Sequence, residues 1–175
     1  MEVITELVFG KADPGLREPE VAFDFSQAAK NAALIESIGF DGIMATETKD
    51  DPFLMLTLAA HTTSKVSLAT AVAIAFPRAP ASMAMTAWGL QKLSRGRFVL
   101  GLGSQVKAHI VRRFGLKAGP MGPWMRDYVG AVRAVWDCWQ NGTKLKFESE
   151  HYNLDLMVPL FDSGPIEWSA PPIHI

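Results

Sequence analysis

The sequence predicts an α/β fold whose parallel sheet is covered by helices. Short apolar runs alternate with longer amphipathic ones along the whole chain. The short runs are close to continuously apolar, as strands buried on both faces are. Caps and turn residues separate them at the spacing of repeated β–α units. Two architectures share this pattern, a doubly wound open sheet and a (β/α)8 barrel. A barrel takes about 250 residues. The 175 residues here hold four complete units and the start of a fifth.

The first strand covers residues 3–9 and is closed by Gly10; a loop with Pro14, Gly15 and Pro19 follows. Residues 24–38 carry apolar Phe25, Ala28, Ala32, Ile35 and Ile38 at helical spacing, with Asp24 or Ser26 as cap and Gly39 as a left-handed stop. Residues 42–45 form a short buried strand ending at Thr46-Glu47-Thr48. Asp51-Pro52 places a cap before a proline at the first helical position, and that helix stops near Ser64. Residues 66–74 read as the third strand and 81–93 as the third helix, ended by Arg95-Gly96. Residues 98–103 form the fourth strand. Residues 123–139 form a helix with Tyr128, Val132, Val135, Trp136 and Trp139 on one face, stopped by Asn141-Gly142. Residues 171–175 begin a fifth strand that is apolar, uncapped and followed by no helix. The expectation is therefore one domain over residues 1–175, the N-terminal portion of a longer protein.

Lys and Arg number 17 and Asp and Glu 18, a net charge of -1. A chain that grips phosphates along a nucleic acid is normally basic, so that class is set aside. One cysteine excludes an internal disulfide framework and a cysteine-based zinc site. Residues 1–6 lack a basic stretch followed by an apolar one, the mark of a signal peptide. The most apolar run, residues 66–76, is too short to cross a membrane. A cytoplasmic chain without nucleic-acid or membrane partners is expected.

In both architectures ligands bind at the C-terminal ends of the strands. That rule selects Gly10-Lys11, Thr46-Glu47-Thr48, residues 71–76 and Gly103-Ser104-Gln105. Glu47 is the one carboxylate placed at a strand end. It either faces a ligand or pairs with a neighbouring base, and the residues leave both open. Gly101-Leu102-Gly103 is not a dinucleotide fingerprint, because Val106 stands where the third glycine belongs. These glycines permit close backbone approach, and Ser104 and Gln105 add a hydroxyl and an amide. Thr70-Ala71-Val72-Ala73 is small enough for a wide, flat ligand to stack on it, or for tight core packing. Arg112-Arg113, with Lys107 and His109, either attracts a phosphate or carboxylate or is a solvated helix face. His61 reads as a core histidine and Cys138 as inert packing. No catalytic triad order, His-Glu-x-x-His motif or phosphate loop occurs.

Several segments together resemble the bacterial luciferase-like superfamily. They are Gly39-Phe40-Asp41-Gly42, the Thr-Glu end of strand two, Asp51-Pro52-Phe53, Leu68-Ala69-Thr70-Ala71-Val72, Ser94-Arg95-Gly96-Arg97-Phe98 and Gly101 to Gln105. The Ser-x-Gly-Arg-Phe turn leading to Gly-x-Gly is the most specific of them. The resemblance implies a (β/α)8 barrel and a flavin or deazaflavin oxidoreductase. Gly103-Ser104-Gln105-Val106 and Arg112-Arg113-Phe114-Gly115 are most similar to the members that use the deazaflavin coenzyme F420. The implied cofactor ring lies across the ends of strands two to four. Glu47 takes the place of the acidic residue near the ring. Ala71, Val72 and Ala73 match a bulge in strand three, often with a cis peptide, that props the ring. Gly103, Ser104 and Gln105 border the ring and its side chain. Members acting on sugar phosphates carry a histidine where Thr48 stands and a glutamate where Val106 stands, so that substrate is not implied.

The function expected from the resemblance is hydride exchange between F420 and a small organic substrate. The alternative is an FMN-dependent monooxygenase that activates oxygen. The rival from another class is a truncated, non-catalytic chain or partner subunit. A half barrel exposes strand edges, so a homo-oligomer, or completion by the missing C-terminal half, is expected. No metal site is expected.

Overall fold

The computed structural model describes residues 1–7 and 24–175. The end of the expected first strand, Gly10-Lys11 and the proline-containing loop lie outside the described residues. The elements, in chain order, are β1 (Ile4–Glu6), α1 (Phe25–Ser37), β2 (Gly42–Ala45), α2 (Pro52–Thr62), β3 (Ser67–Thr70), β4 (Ala73–Ile74), α3 (Pro80–Leu93) and β5 (Phe98–Gly103). They continue with α4 (Lys107–Arg112), α5 (Met121–Asn141), a hairpin of β6 (Phe147–Glu148) and β7 (Asn153–Leu154), a short 3-10 turn (Pro159–Phe161) and β8 (Ile173–His174).

The six-stranded sheet runs β1-β2-β3-β5-β4, with β8 on β5, and every pairing in it is parallel. β3 and β4 are successive pieces of one run and both pair with β5. The strands therefore lie side by side in sequence order. A doubly wound sheet reverses its order partway, so the order selects the barrel-type arrangement.

Helices pack on one face. α1, α2, α3 and α5 follow one another around the sheet. Ile43, Ala45, Leu68, Phe98, Leu100 and Leu102 point at them and are buried. Met44, Ala69 and Val99 alternate with these and face the other way, less covered. α5 buries Tyr128, Val132, Val135, Trp136 and Trp139 along one stripe. The Trp136 indole donates to the carbonyl of Ala84 on α3 at 3.0 Å.

The local signals act as expected. The Asp24 carboxylate accepts from the Ser26 amide at 2.8 Å, and Gly39 takes φ +93 at the stop. Asp51 caps α2 through the Phe53 amide at 2.9 Å. Gly142 closes α5 at φ +65. Corrections fall elsewhere. The third strand is broken in two, α4 and the hairpin carry no strong periodic signal, and His61 is exposed rather than in the core. The small side chains around His61 let α2 present an all-round apolar pattern, which hid its solvent side.

Glu36 ties the end of α1 to the turn before β3. Its carboxylate accepts from the amides of Ser64, Lys65 and Val66 at 3.0, 2.7 and 3.1 Å. Burial alone would raise its pKa, but these amides hold it below the ordinary carboxylate value. A depressed folded-state pKa adds stability above the unfolded value that is lost as pH falls through the folded one. Glu36→Gln is expected to cost about 1–2 kcal/mol at pH 7. Urea melts should show that gap shrinking towards pH 3; a gap independent of pH contradicts the assignment.

Candidate functional site

A cleft of about 440 Å3 opens at the C-terminal ends of β2, β4 and β5. Its walls bring together Glu47, Ala71, Val72, Gly103, Ser104 and Gln105, joined by Thr46, Thr48, Ile74 and Val106. The seventh expected residue, Ala73, is fully buried and faces the core instead.

The floor is built by a break in strand three. Ala69 pairs with Val99, and Ala73 with Leu102. Four steps along one strand match three along the other, which is a β-bulge. The Ala71–Val72 peptide at the break is cis. The bulge interrupts the ladder at Gly101, and the Thr70 side chain repairs it. Thr70 Oγ1 accepts from the Gly101 amide at 2.9 Å and donates to the Gly101 carbonyl at 2.7 Å. Both neighbours of the break need glycine. A Cβ on Gly101 would run into the Thr70 carbonyl oxygen, and one on Gly103 would lie 2.5 Å from Val72 Cγ2. Val72 consequently rests flat against the strand end with 41% of its surface exposed, an apolar platform in the cleft.

Glu47 forms the opposite wall. Its amide donates to the Val72 carbonyl at 3.3 Å. Its carboxylate accepts from the Ile74 amide at 2.7 Å and from Arg78 Nη1 at 2.7 and 2.8 Å. Arg78 Nη2 also reaches Asp51 at 3.0 Å, and its guanidinium lies 5.6 Å over the Phe53 ring. Burial would lower the pKa of Arg78, but the Glu47 and Asp51 carboxylates raise it. Both readings of Glu47 therefore describe one residue, which lines the cleft and is paired with a base. Sequence patterns gave no sign of Arg78, which follows Pro77 in a turn.

At the third wall Gln105 adopts φ +63, and its side-chain oxygen accepts from the Val106 amide at 2.9 Å. This left-handed turn leaves Ser104 Oγ with only a long contact, 3.4 Å, to the Gln105 carbonyl. Glu6, in β1, is a second carboxylate near the strand ends and accepts from Thr46 Oγ1 at 2.7 Å. The expected course of strand one had hidden it.

An aromatic stack backs the cleft beyond β4. Trp124 lies between Phe76, at 3.9 Å, and the His151 ring, at 5.7 Å. His151 Nδ1 is 2.8 Å from Asp127, which fastens the hairpin to the first turns of α5. Tyr128 is wholly buried beside Phe76, and its hydroxyl has no partner among the described residues. Burial pushes its pKa far upward, so the phenol keeps its proton.

Other candidates do not join the site. Lys107, His109, Arg112 and Arg113 lie exposed on and beside α4. Cys138 is buried in α5. A more apolar groove of about 390 Å3 is lined by Met85, Trp139, Leu156 and Phe161, on the helix side of the fold. Asp155 is the one titratable residue in its lining. No cluster of potential metal ligands and no helix long and apolar enough to cross a membrane occur among the described residues.

Comparison with known proteins agrees with the fold. An uncharacterized protein of Mycobacterium tuberculosis is 44% identical over 150 residues, covering 86% of this chain and 44% of its own. A second M. tuberculosis protein, named as a coenzyme F420-dependent oxidoreductase, is 30% identical over 129 residues, 73% of this chain and 36% of its own. Among solved structures, a monooxygenase from Streptomyces bottropensis superposes with a TM-score of 0.78 at 20% identity, covering 99% of this chain and 52% of that one. The oxygenating constituent of 3,6-diketocamphane monooxygenase from Pseudomonas putida, in complex with FMN, gives 0.74 at 18% identity over 98% and 49%. The F420-dependent tetrahydromethanopterin reductase of Methanopyrus kandleri gives 0.67 at 19% identity over 98% and 49%. The chain spans less than half the length of these curated relatives and about half that of the solved chains. The family model of the luciferase-like monooxygenases matches residues 1–175, and the chain belongs to that family.

Proposed function

We propose that the cleft at the strand ends holds the ring of F420, and that the protein exchanges a hydride between this deazaflavin and a small organic substrate. The observation that carries the reading is the platform of Val72 against Gly103, framed by Glu47 on one side and Ser104 and Gln105 on the other. The residues fit a flat ring. A side chain at position 103 would displace the platform, and the walls offer polar atoms only at the edges. The relative named for F420 supports the deazaflavin, while the FMN-bound neighbour shares the fold.

Bound there, the deazaflavin would supply a hydride donor or acceptor. The chain's own residues do the placing. Val72 and Gly103 would orient the ring. Ser104, with its loosely held hydroxyl, would bond its polar edge. Glu47, neutralised by Arg78, accepts three hydrogen bonds already and would act as a fixed wall rather than a proton carrier.

Equilibrium fluorescence titration tests the cofactor. F420 is expected to bind at least about tenfold more tightly than FMN, a difference of about 1.4 kcal/mol. Tighter binding of FMN, with rapid oxygen uptake by the reduced complex, would replace this reading with the monooxygenase one.

A further inference from the structure

We propose that His174 completes the ligand site from the side opposite Glu47, presenting its imidazole to the polar edge of the planar ligand. The inference rests on the reading of the cleft above, and strand register carries it.

Along β5, Phe98, Leu100 and Leu102 point at the helices and are buried, so Val99, Gly101 and Gly103 point to the open face. β8 pairs with β5 in register, Ile173 with Leu100 and His174 with Gly101. Registered partners share a face. Ile173 therefore faces the helices and His174 the open side, where it is exposed.

Register also fixes its height. Met44, Ala69 and Val99 stand in one row across β2, β3 and β5. The bulge breaks the β3–β5 register beyond that row; on β5 the next position on the same face is Gly101, paired with His174, and the one after it, Gly103, lines the cleft. Gly101 has no side chain, and the Thr70 carbonyl oxygen fills the space a Cβ would take there. His174 therefore stands on the neighbouring strand, two residues or about 7 Å short of the level of Gly103. An imidazole extended from there along the open face reaches toward a ligand resting on Val72 and Gly103.

The neighbouring carboxylates are committed. Glu6 accepts from Thr46, Glu47 is paired with Arg78, and Tyr128 is buried behind the sheet. His174 makes no side-chain hydrogen bond to any described residue. An imidazole nitrogen can donate to, or accept from, a ligand carbonyl or ring N–H.

The test uses the full-length protein with imidazole-labelled histidine, titrated separately with F420 and with FMN. The expected result is a shift of the His174 imidazole signals with whichever cofactor binds, and its protection from carbethoxylation. His174→Ala should weaken that cofactor about tenfold while the thermal midpoint stays unchanged. Binding that moves the Thr48 and Ser104 amides but leaves the His174 ring unmoved, or an alanine variant that binds like the wild type, overturns the proposal and leaves the cleft reading standing. Failure of both cofactors to bind removes the cleft reading and this proposal with it.

Discussion

Gly101→Ala is expected to destabilise the protein by about 3 kcal/mol, because overpacking and broken hydrogen bonds add at one position. The new methyl would run into the Thr70 carbonyl oxygen, a backbone atom that moves only if β3 and β5 separate. Separation also pulls Gly101 from the Thr70 hydroxyl, which serves both its amide and its carbonyl. The group left unpaired is buried, so water does not replace the lost bond. Urea unfolding should show a lower midpoint with an unchanged slope. A change under about 0.5 kcal/mol, the range of ordinary surface substitutions, would mean that the bulge is not held in this way.

Arg78→Met is the second large effect, expected at about 2 kcal/mol with a loosened cleft. Removing one partner of a buried ion pair costs about 3–5 kcal/mol because the other charge stays behind. Glu47 is 9% exposed and Arg78 is 23% exposed, so some screening by water brings the figure down. Asp51 loses a partner too, but it lies closer to solvent. The double variant Arg78→Met/Glu47→Gln should recover part of the loss, since no uncompensated carboxylate remains. Equal losses in the single and double variants would show that Arg78 acts through packing on Phe53 instead.

The legible parts of the fold were those with a local cause. Asp51-Pro52, Gly39 and Asn141-Gly142 act on their own neighbours, so their elements end where the sequence places them. The site was legible as a set of strand ends, because a β–α repeat sends its ligand-facing loops to one end. Long-range effects were not legible. The break in strand three depends on register against β5, and Thr70 reads as an ordinary strand residue until Gly101 lies beside it. Arg78 becomes part of the site only through Glu47 and Asp51, which precede it by 31 and 27 residues. His174 gains its place from register alone.

The Ser94-Arg95-Gly96-Arg97-Phe98 segment, the most specific mark of the family in the sequence, serves the opposite end of the strands. Arg95 and Gly96 take φ 56 and 83 in the turn before β5. Arg97 donates to the carbonyls of Val66 at 2.6 Å, Thr63 at 2.9 Å and Ser94 at 2.7 Å, clamping the starts of β3 and β5 together. Family membership is thus written in architecture as much as in the ligand-facing loops, consistent with a scaffold that serves both F420 and FMN chemistry.

The proposed seat of the flat cofactor is Val72 and Gly103 at the strand ends. Backbone amide mapping by NMR during addition of F420 tests it most directly. The largest shifts are expected on Glu47, Thr48, Val72, Gly103, Ser104 and Gln105. Shifts concentrated instead around Met85, Trp139 and Leu156, in the apolar groove on the helix side, would contradict it.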